Sequence, residues 1–212
     1  MNIFMDDGLA IPRMSKDSLS IQSVRSHLRH LGFSEREKLS KDNHRIFSHR
    51  ACWHIAHTLK QKMGDISQMI IAGYWPIRSE LDPNLFLEYV VSHGGRLALP
   101  AIIDDETMVF RAYSPHTPLE SMRFHTMGPE ASSAVVTPTF ILVPLLAFDR
   151  QYNRLGYGKG YYDRAIAALK AEGHCIDLFG LGFSCQEVES IPNTKHDLVL
   201  QGIFTEKGFL ER

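Results

Sequence analysis

ILVPLLAFDRQYNRLGYGKGYYDR, residues 141–164, runs an apolar segment through a polar turn into a glycine-lysine loop that opens a helix. Ile141 to Phe148 is short and sharply bounded, and it reads as a buried strand. Asp149 to Asn153 then turns the chain. In Arg154-Leu155-Gly156-Tyr157-Gly158-Lys159-Gly160 the alternate glycines remove the side chains that would keep a polyanion away from the backbone amides. Tyr161 to Lys170 is helix-forming, so the loop presents the unpaired N–H groups and partial positive charge of a helix N-terminus. These are the ingredients of a phosphate site.

Two common glycine-loop motifs do not fit. A Walker loop needs Ser or Thr after its lysine, where Gly160 stands; the dinucleotide fingerprint needs a third glycine, where Tyr161 stands. What is left is Lys159 as a point charge for phosphate and Asp163 on the first helical turn, placed to share Mg²⁺ with that phosphate. On spacing alone, a purely structural glycine turn before a helix stays equally open.

Outward from this block, strands alternate with helices. Met69 to Trp75 reads as a strand closed by Pro76, Ser79 to Pro83 leads into a helix that runs through His93, and Arg96 to Pro100 is a second strand, together a parallel crossover unit. Met108 to Tyr113 reads as an edge strand, and Ser114 to Ala134 as a long connection of the functional or mobile kind. Beyond the central helix come a strand over 176–183, a short helix over 186–191, a turn at Pro192 to Asp197 and a last strand over 198–204. The expected class is α/β, a single domain over residues 16–212 with a mostly parallel sheet flanked by helices. Sites in such sheets lie beyond the strand C-termini, which is where the glycine loop and the Trp75 to Glu80 loop fall.

The N-terminal part reads as an added helical segment. Residues 1–15 lack a period and form a poorly ordered leader; Lys16 to Leu31 carries Leu19, Val24, Leu28 and Leu31 at helical spacing and stops near Gly32. Ser34 and Glu37 make a capping box that starts a second helix, whose buried face is Phe47, Ala51, Ile55 and Leu59 and which ends near Gly64. His44, His49, His54 and His57 lie on it without converging on one face, which favours solvated or packed histidines over a metal set.

Composition excludes several classes. With 23 basic and 24 acidic residues in 212, no global field favours nucleic acid or an anionic membrane, so any phosphate site is local. Cys52, Cys175 and Cys185 are odd in number and form no CxxC pair, which points to reduced thiols. No signal peptide or apolar run of spanning length is present, and a cytoplasmic monomer is expected.

Pro144, Phe148-Asp149, Arg154-Leu155-Gly156 and Gly158-Lys159-Gly160-Tyr161-Tyr162-Asp163, in this order, closely resemble the signature of the 5-formyltetrahydrofolate cyclo-ligase (methenyltetrahydrofolate synthetase) family. The resemblance runs from about Ser34 to the C-terminus and is densest in this block. It implies ATP- and Mg²⁺-dependent conversion of 5-formyltetrahydrofolate to 5,10-methenyltetrahydrofolate with release of ADP and phosphate. By match to the family pattern, Lys159 and Arg154 act on the transferring phosphoryl group. Residues 154–162 together with Arg25 bind ATP. Asp163 and Asp197 ligate Mg²⁺. Trp75 and Glu80 hold the folate with Tyr157, Gly158, Lys159, Gly160 and Tyr161, the Glu80 carboxylate accepting from the amino-pyrimidine edge. The family's Lys-x-x-Leu-Arg helix start is altered: Lys16 to Ser20 lacks the arginine, and Ile21 to Arg25 has the arginine without the lysine. Two other readings stand beside this one, a non-catalytic module that recognises a phospho-ligand and a sugar-phosphate isomerase-like enzyme on a related scaffold.

Overall fold

A computed structural model describes residues 21–194 and 197–212. The leader and the Lys16 to Ser20 helix start therefore lie outside the described residues. The chain begins with helices α1 (Ile21–Glu37) and α2 (Lys41–Met63), strand β1 (Ile70–Ala72), helix α3 (Asn84–Ser92) and strands β2 (Arg96–Ile102) and β3 (Met108–Tyr113). A ribbon of β4 (Leu119–Ser121) and β5 (Met127–Pro129) follows, then β6 (Phe140–Pro144) and a second ribbon, β7 (Ala147–Phe148) with β8 (Arg154–Leu155). Helix α4 (Tyr161–Ala171) leads to β9 (Asp177–Leu181), β10 (Gly202–Thr205) and β11 (Gly208–Glu211).

The seven-stranded sheet has the order β11-β10-β9-β6-β1-β2-β3. Its five inner strands are parallel, and β3 and β11 pair antiparallel at the two edges. Alternate residues of the inner strands enter opposite cores: Ile71, Leu97, Leu99, Phe140 and Leu142 pack with α2 and α3, while Ala72, Ala98, Ile141 and Val143 pack with α4. Both faces are covered, which is why these strands read as unbroken apolar runs rather than alternating ones. A third cluster, Leu28, Ala147, Leu155 and Ile191, fastens α1 to the β7–β8 ribbon.

The α/β class and the parallel crossover match expectation, while several boundaries differ. Helix α1 runs through Gly32 to Glu37, because Gly32 is there for close approach rather than termination: a Cβ on it would sit 1.8 Å from the Leu146 carbonyl oxygen. Ser34 is consequently inside the helix, and the real cap of α2 is Ser40, whose hydroxyl accepts from Asn43 N at 3.2 Å. The helix expected after Ser79 to Pro83 is α3, which starts at Asn84, and residues 73–83 before it fold into a loop closed by the Tyr74 hydroxyl donating to Leu81 O. The apolar run 141–148 is two strands, β6 and β7, and residues 186–191 form no helix after the single turn at Ser184–Gln186. The strand expected over 198–204 is Gly202–Thr205, and the edge strand β11 beyond it was not expected.

Among the described residues no helix is long and apolar enough to cross a membrane, and no disulfide is present. Cys52 is buried, whereas Cys175 is exposed. Gly32→Ala is expected to lower stability by about 2 kcal/mol, the clash with a backbone carbonyl outweighing the roughly 1 kcal/mol gained in helix propensity. The midpoint of urea unfolding measures it, and an unchanged midpoint would mean that α1 is free to move away from Leu146.

Candidate active site

The glycine loop stands on a fully buried carboxylate. Asp149 Oδ1 accepts from Gln151 N and Asn153 N, both at 3.0 Å, and Oδ2 accepts from Asn153 Nδ2 at 3.0 Å and Ile191 N at 2.9 Å. This acid serves the turn that joins β7 to β8. From there the chain enters Gly156 to Gly160, with Gly158 at φ +94° and Gly160 at φ +70°, the left-handed region that a Cβ disfavours. Gly160 caps α4 with no side-chain bond, so the first amides of that helix face the loop as the sequence reading expected. Arg164 straps the loop in place, donating to Lys159 O at 2.9 Å and to Glu106 O at 2.8 Å.

A cavity of about 600 Å³ opens beside this loop. Tyr74 and Trp75 beyond β1 line it with Pro144 at the end of β6, so it sits where the chain's strand order reverses, between two neighbouring parallel strands. Every expected site residue lines it except Leu155, whose side chain is in the third apolar cluster and whose carbonyl accepts from Leu146 N at 2.7 Å. Six basic and three acidic side chains face the cavity, although the whole chain carries a net charge of −1. The positive field is local, as the near-neutral composition required.

Lys159 makes no hydrogen bond or ion pair through its ammonium with the described residues, and its Nζ lies 5.0 Å from the centroid of the Phe124 ring. Arg154 is almost fully buried; Nη2 donates to Asp163 Oδ1 at 3.2 Å, and Nε has no partner among the described residues. The Tyr162 hydroxyl is likewise buried without a partner among the described residues, and burial pushes its ionisation up. Both residues line the cavity, but these two atoms are themselves shielded from it.

The two expected metal acids differ. Asp163 Oδ1 accepts from Arg154 and from Leu198 N at 3.2 Å, while Oδ2 takes no hydrogen bond from the described residues. Asp197 is fully engaged: Arg25 donates to its two oxygens at 2.6 and 2.7 Å, and Thr194 donates twice more. Burial pushes the Asp197 carboxyl up, but these hydrogen bonds outweigh it and hold the group at about 2. Arg25 is raised in turn, first by the Asp197 bond, and it also feels the charge of Asp163. Each of the two acids expected to bind a cation is thus already paired with a guanidinium, Asp197 with Arg25 and Asp163 with Arg154. Among the described residues no group of three or more His, Cys, Asp or Glu side chains is arranged to hold a metal ion. His44 instead hydrogen-bonds Glu80 O at 2.9 Å and packs against Phe183.

Glu80 is buried, and its Oε2 accepts from Ile77 N at 3.0 Å. Burial pushes its carboxyl up to about 7 against the opposing pull of the Ile77 amide, Arg36 and Tyr157. Arg36, only 1% exposed, donates from Nε to Ser79 Oγ at 3.2 Å and from Nη2 to the Tyr157 hydroxyl at 2.9 Å. It therefore ties α1 to both the Glu80 loop and the glycine loop. Sequence reading missed Arg36 because it ended α1 at Gly32, and missed Arg29 and Phe124 because no local pattern ties them to the loop. Arg29 lies four residues from Arg25 on the cavity side of α1, a spacing that becomes a signal once Arg25 is placed. Phe124, which lines the cavity, and His125 next to it hold left-handed backbone, φ 61° and 60°, a strained geometry that composition does not announce.

A model of the 5-formyltetrahydrofolate cyclo-ligase family matches residues 21–206. A Haemophilus influenzae protein named 5-formyltetrahydrofolate cyclo-ligase is 28% identical over 136 residues, covering 61% of this chain and 72% of its own. The protein of that name from Escherichia coli is 28% identical over 141 residues, covering 64% and 76%. Among solved structures, the Aquifex aeolicus 5,10-methenyltetrahydrofolate synthetase matches with a TM-score of 0.69 and 28% identity, over 89% of this chain and 92% of its own. A Mycoplasma pneumoniae 5,10-methenyltetrahydrofolate synthetase matches with a TM-score of 0.68 over 86% and 98%; at 22% identity it speaks to the fold.

Proposed function

The chain belongs to the 5-formyltetrahydrofolate cyclo-ligase family, and from that premise we propose that its cavity closes the ring of 5-formyltetrahydrofolate with MgATP, releasing 5,10-methenyltetrahydrofolate, ADP and phosphate. The carrying observation is that one cavity joins a buried carboxylate, Glu80, to an open helix N-terminus ringed by Lys159 and Arg154. The first suits the two donors of an amino-pyrimidine edge and the second suits phosphate. A module that only recognised a phospho-ligand would have no use for Glu80.

The chemical obstacle is the formyl oxygen, a poor leaving group. Transfer of the ATP γ-phosphoryl group to that oxygen releases ADP and turns it into a phosphate leaving group; the bridge nitrogen attacks the formyl carbon and gives up its proton to solvent, the carbon–oxygen bond breaks and phosphate leaves. The protein's part is alignment and charge stabilisation. Lys159, with no competing partner among the described residues, neutralises charge on the transferring group. Arg154, on the same wall, adds a second cation. Trp75 and Tyr161 flank the folate ring.

A bound Mg²⁺ would supply charge neutralisation to the phosphates, and the hard oxygen donors here fit it. Asp163 would hold it through Oδ2, and Asp197 would join only where Arg25 turned from it to the nucleotide. Asp163→Asn is expected to raise the Mg²⁺ concentration for half-maximal rate at least ~10-fold, since one or two carboxylates make up the protein's share of such a site. An unchanged Mg²⁺ requirement would take Asp163 out of the metal shell. The proposal as a whole is tested by stoichiometry: ADP and phosphate should form in strict proportion to methenyl product and not without folate. Phosphate release uncoupled from the folate would refute it.

A further inference from the structure

Helix α1 turns Gln22, Arg25 and Arg29 toward the cavity at the spacing of one helical face. Arg25 is committed to Asp197, and Arg29 is not committed to any acid. Its Nε donates to Gly156 O at 2.9 Å, and its plane lies flat against the loop: a Cβ on Gly158 would stand 3.2 Å from Cζ and 3.3 Å from Nη2. The terminal nitrogens donate no hydrogen bond to the described residues. Burial pulls the Arg29 pKa down, and the charge of Arg25 pulls it further. Asp197 pulls the other way without outweighing the two, and it is already spent on Arg25, so a half-buried cation with two idle donors beside a cavity is poorly placed unless a further anion completes it.

We propose that Arg29 is a phosphate-binding residue of the nucleotide site: Nε stays on the Gly156 carbonyl and the two terminal nitrogens donate to non-bridging oxygens of the ATP chain lying along Gly156 to Gly160. A guanidinium is a planar fork whose donors match two oxygens of one phosphate, which a lysine ammonium does not do. The bond to Gly156 holds that fork before the ligand arrives, so little side-chain freedom is lost on binding. Gly158 follows from the same contact, because a side chain there would strike the guanidinium and its φ of +94° would be strained. This assignment rests on the ATP reading of the cavity. The other anion available to Arg29 is a carboxylate of the folate tail, and the test separates the two.

Wild-type protein and Arg29→Gln are titrated calorimetrically with MgATP, with adenosine and with 5-formyltetrahydrofolate, each alone. Arg29→Gln should weaken MgATP binding about 10- to 100-fold, as loss of charge-assisted bonds does, and leave adenosine and folate within about 2-fold. Arg29→Lys, which keeps the charge and loses the fork, should fall between the two and melt at the wild-type temperature. Equal weakening of adenosine and MgATP, in both variants, would reduce Arg29 to a prop for the loop. Selective loss of folate binding would assign it to the carboxylate tail, and unchanged MgATP binding would remove it from the site; each overturns the proposal while the ATP reading stands. Wild-type protein that binds no MgATP would overturn both.

Discussion

Lys159→Ala is expected to lower turnover at least ~100-fold, with little change in the affinity for 5-formyltetrahydrofolate. Removing one donor aimed at developing charge costs about 10²- to 10³-fold in comparable sites, and here the donor is a full charge with no other partner among the described residues. Lys159 is exposed, so its truncation leaves no buried group unpaired and the fold should hold. Arginine at this position should recover only part of the rate, because its planar group cannot follow the transferring phosphoryl as a compact ammonium does. Single-turnover measurement with saturating MgATP isolates the chemical step. Near-normal turnover would take Lys159 out of the mechanism and leave Arg154 to carry it.

Glu80→Gln should separate function from stability. Burial raises the carboxyl from its ordinary 4.5 to about 7. A group raised in the folded state contributes stability that is present below its unfolded pKa and is lost as pH rises through the folded one. The wild type therefore loses up to about 3 kcal/mol between pH 4.5 and 8 on account of this residue. Glutamine has no charge to bury, so the variant should be more stable than wild type at pH 8 and converge with it near pH 4.5. Binding runs the other way. The amino-pyrimidine edge offers two donors and needs the ionised carboxylate, so wild-type folate affinity should fall about 10-fold per pH unit below 7. The variant should bind folate weakly at every pH while holding MgATP normally. Equal losses of both ligands, or a steep pH dependence surviving in the variant, would remove Glu80 from folate recognition. A stabilised, inactive variant is what a site strained for function predicts.

Much of this arrangement could be read before any coordinates. The inner strands were legible because burial on both faces turns them into apolar runs that no helix of that length would carry, and the glycine loop was legible because its chemistry is local. What escaped reading depends on tertiary context. Glycine is the same letter whether it ends a helix or lets two backbones touch, so Gly32 looked like a stop, and the last turn of α1, with Arg36, was lost with it. Ser34 and Ser40 are both plausible caps, and only the continuation of α1 decides between them. Leu155 was drawn into the site by its place inside the signature, while its side chain belongs to the core that fastens α1. Asp197 was legible as an acid near the site, but not its capture by Arg25, a contact across 172 residues. Arg29 and Phe124 carry no local signature; they become site residues only because α1 and the β4–β5 ribbon close over the same cavity.

The central claim meets its most direct test when purified protein is mixed with 5-formyltetrahydrofolate and MgATP and the near-ultraviolet absorbance of the methenyl product is followed, with ATP omitted as control. The account predicts growth of that band with ATP and none without it. A flat trace from folded protein with its N-terminus intact, or growth indifferent to ATP, would contradict it.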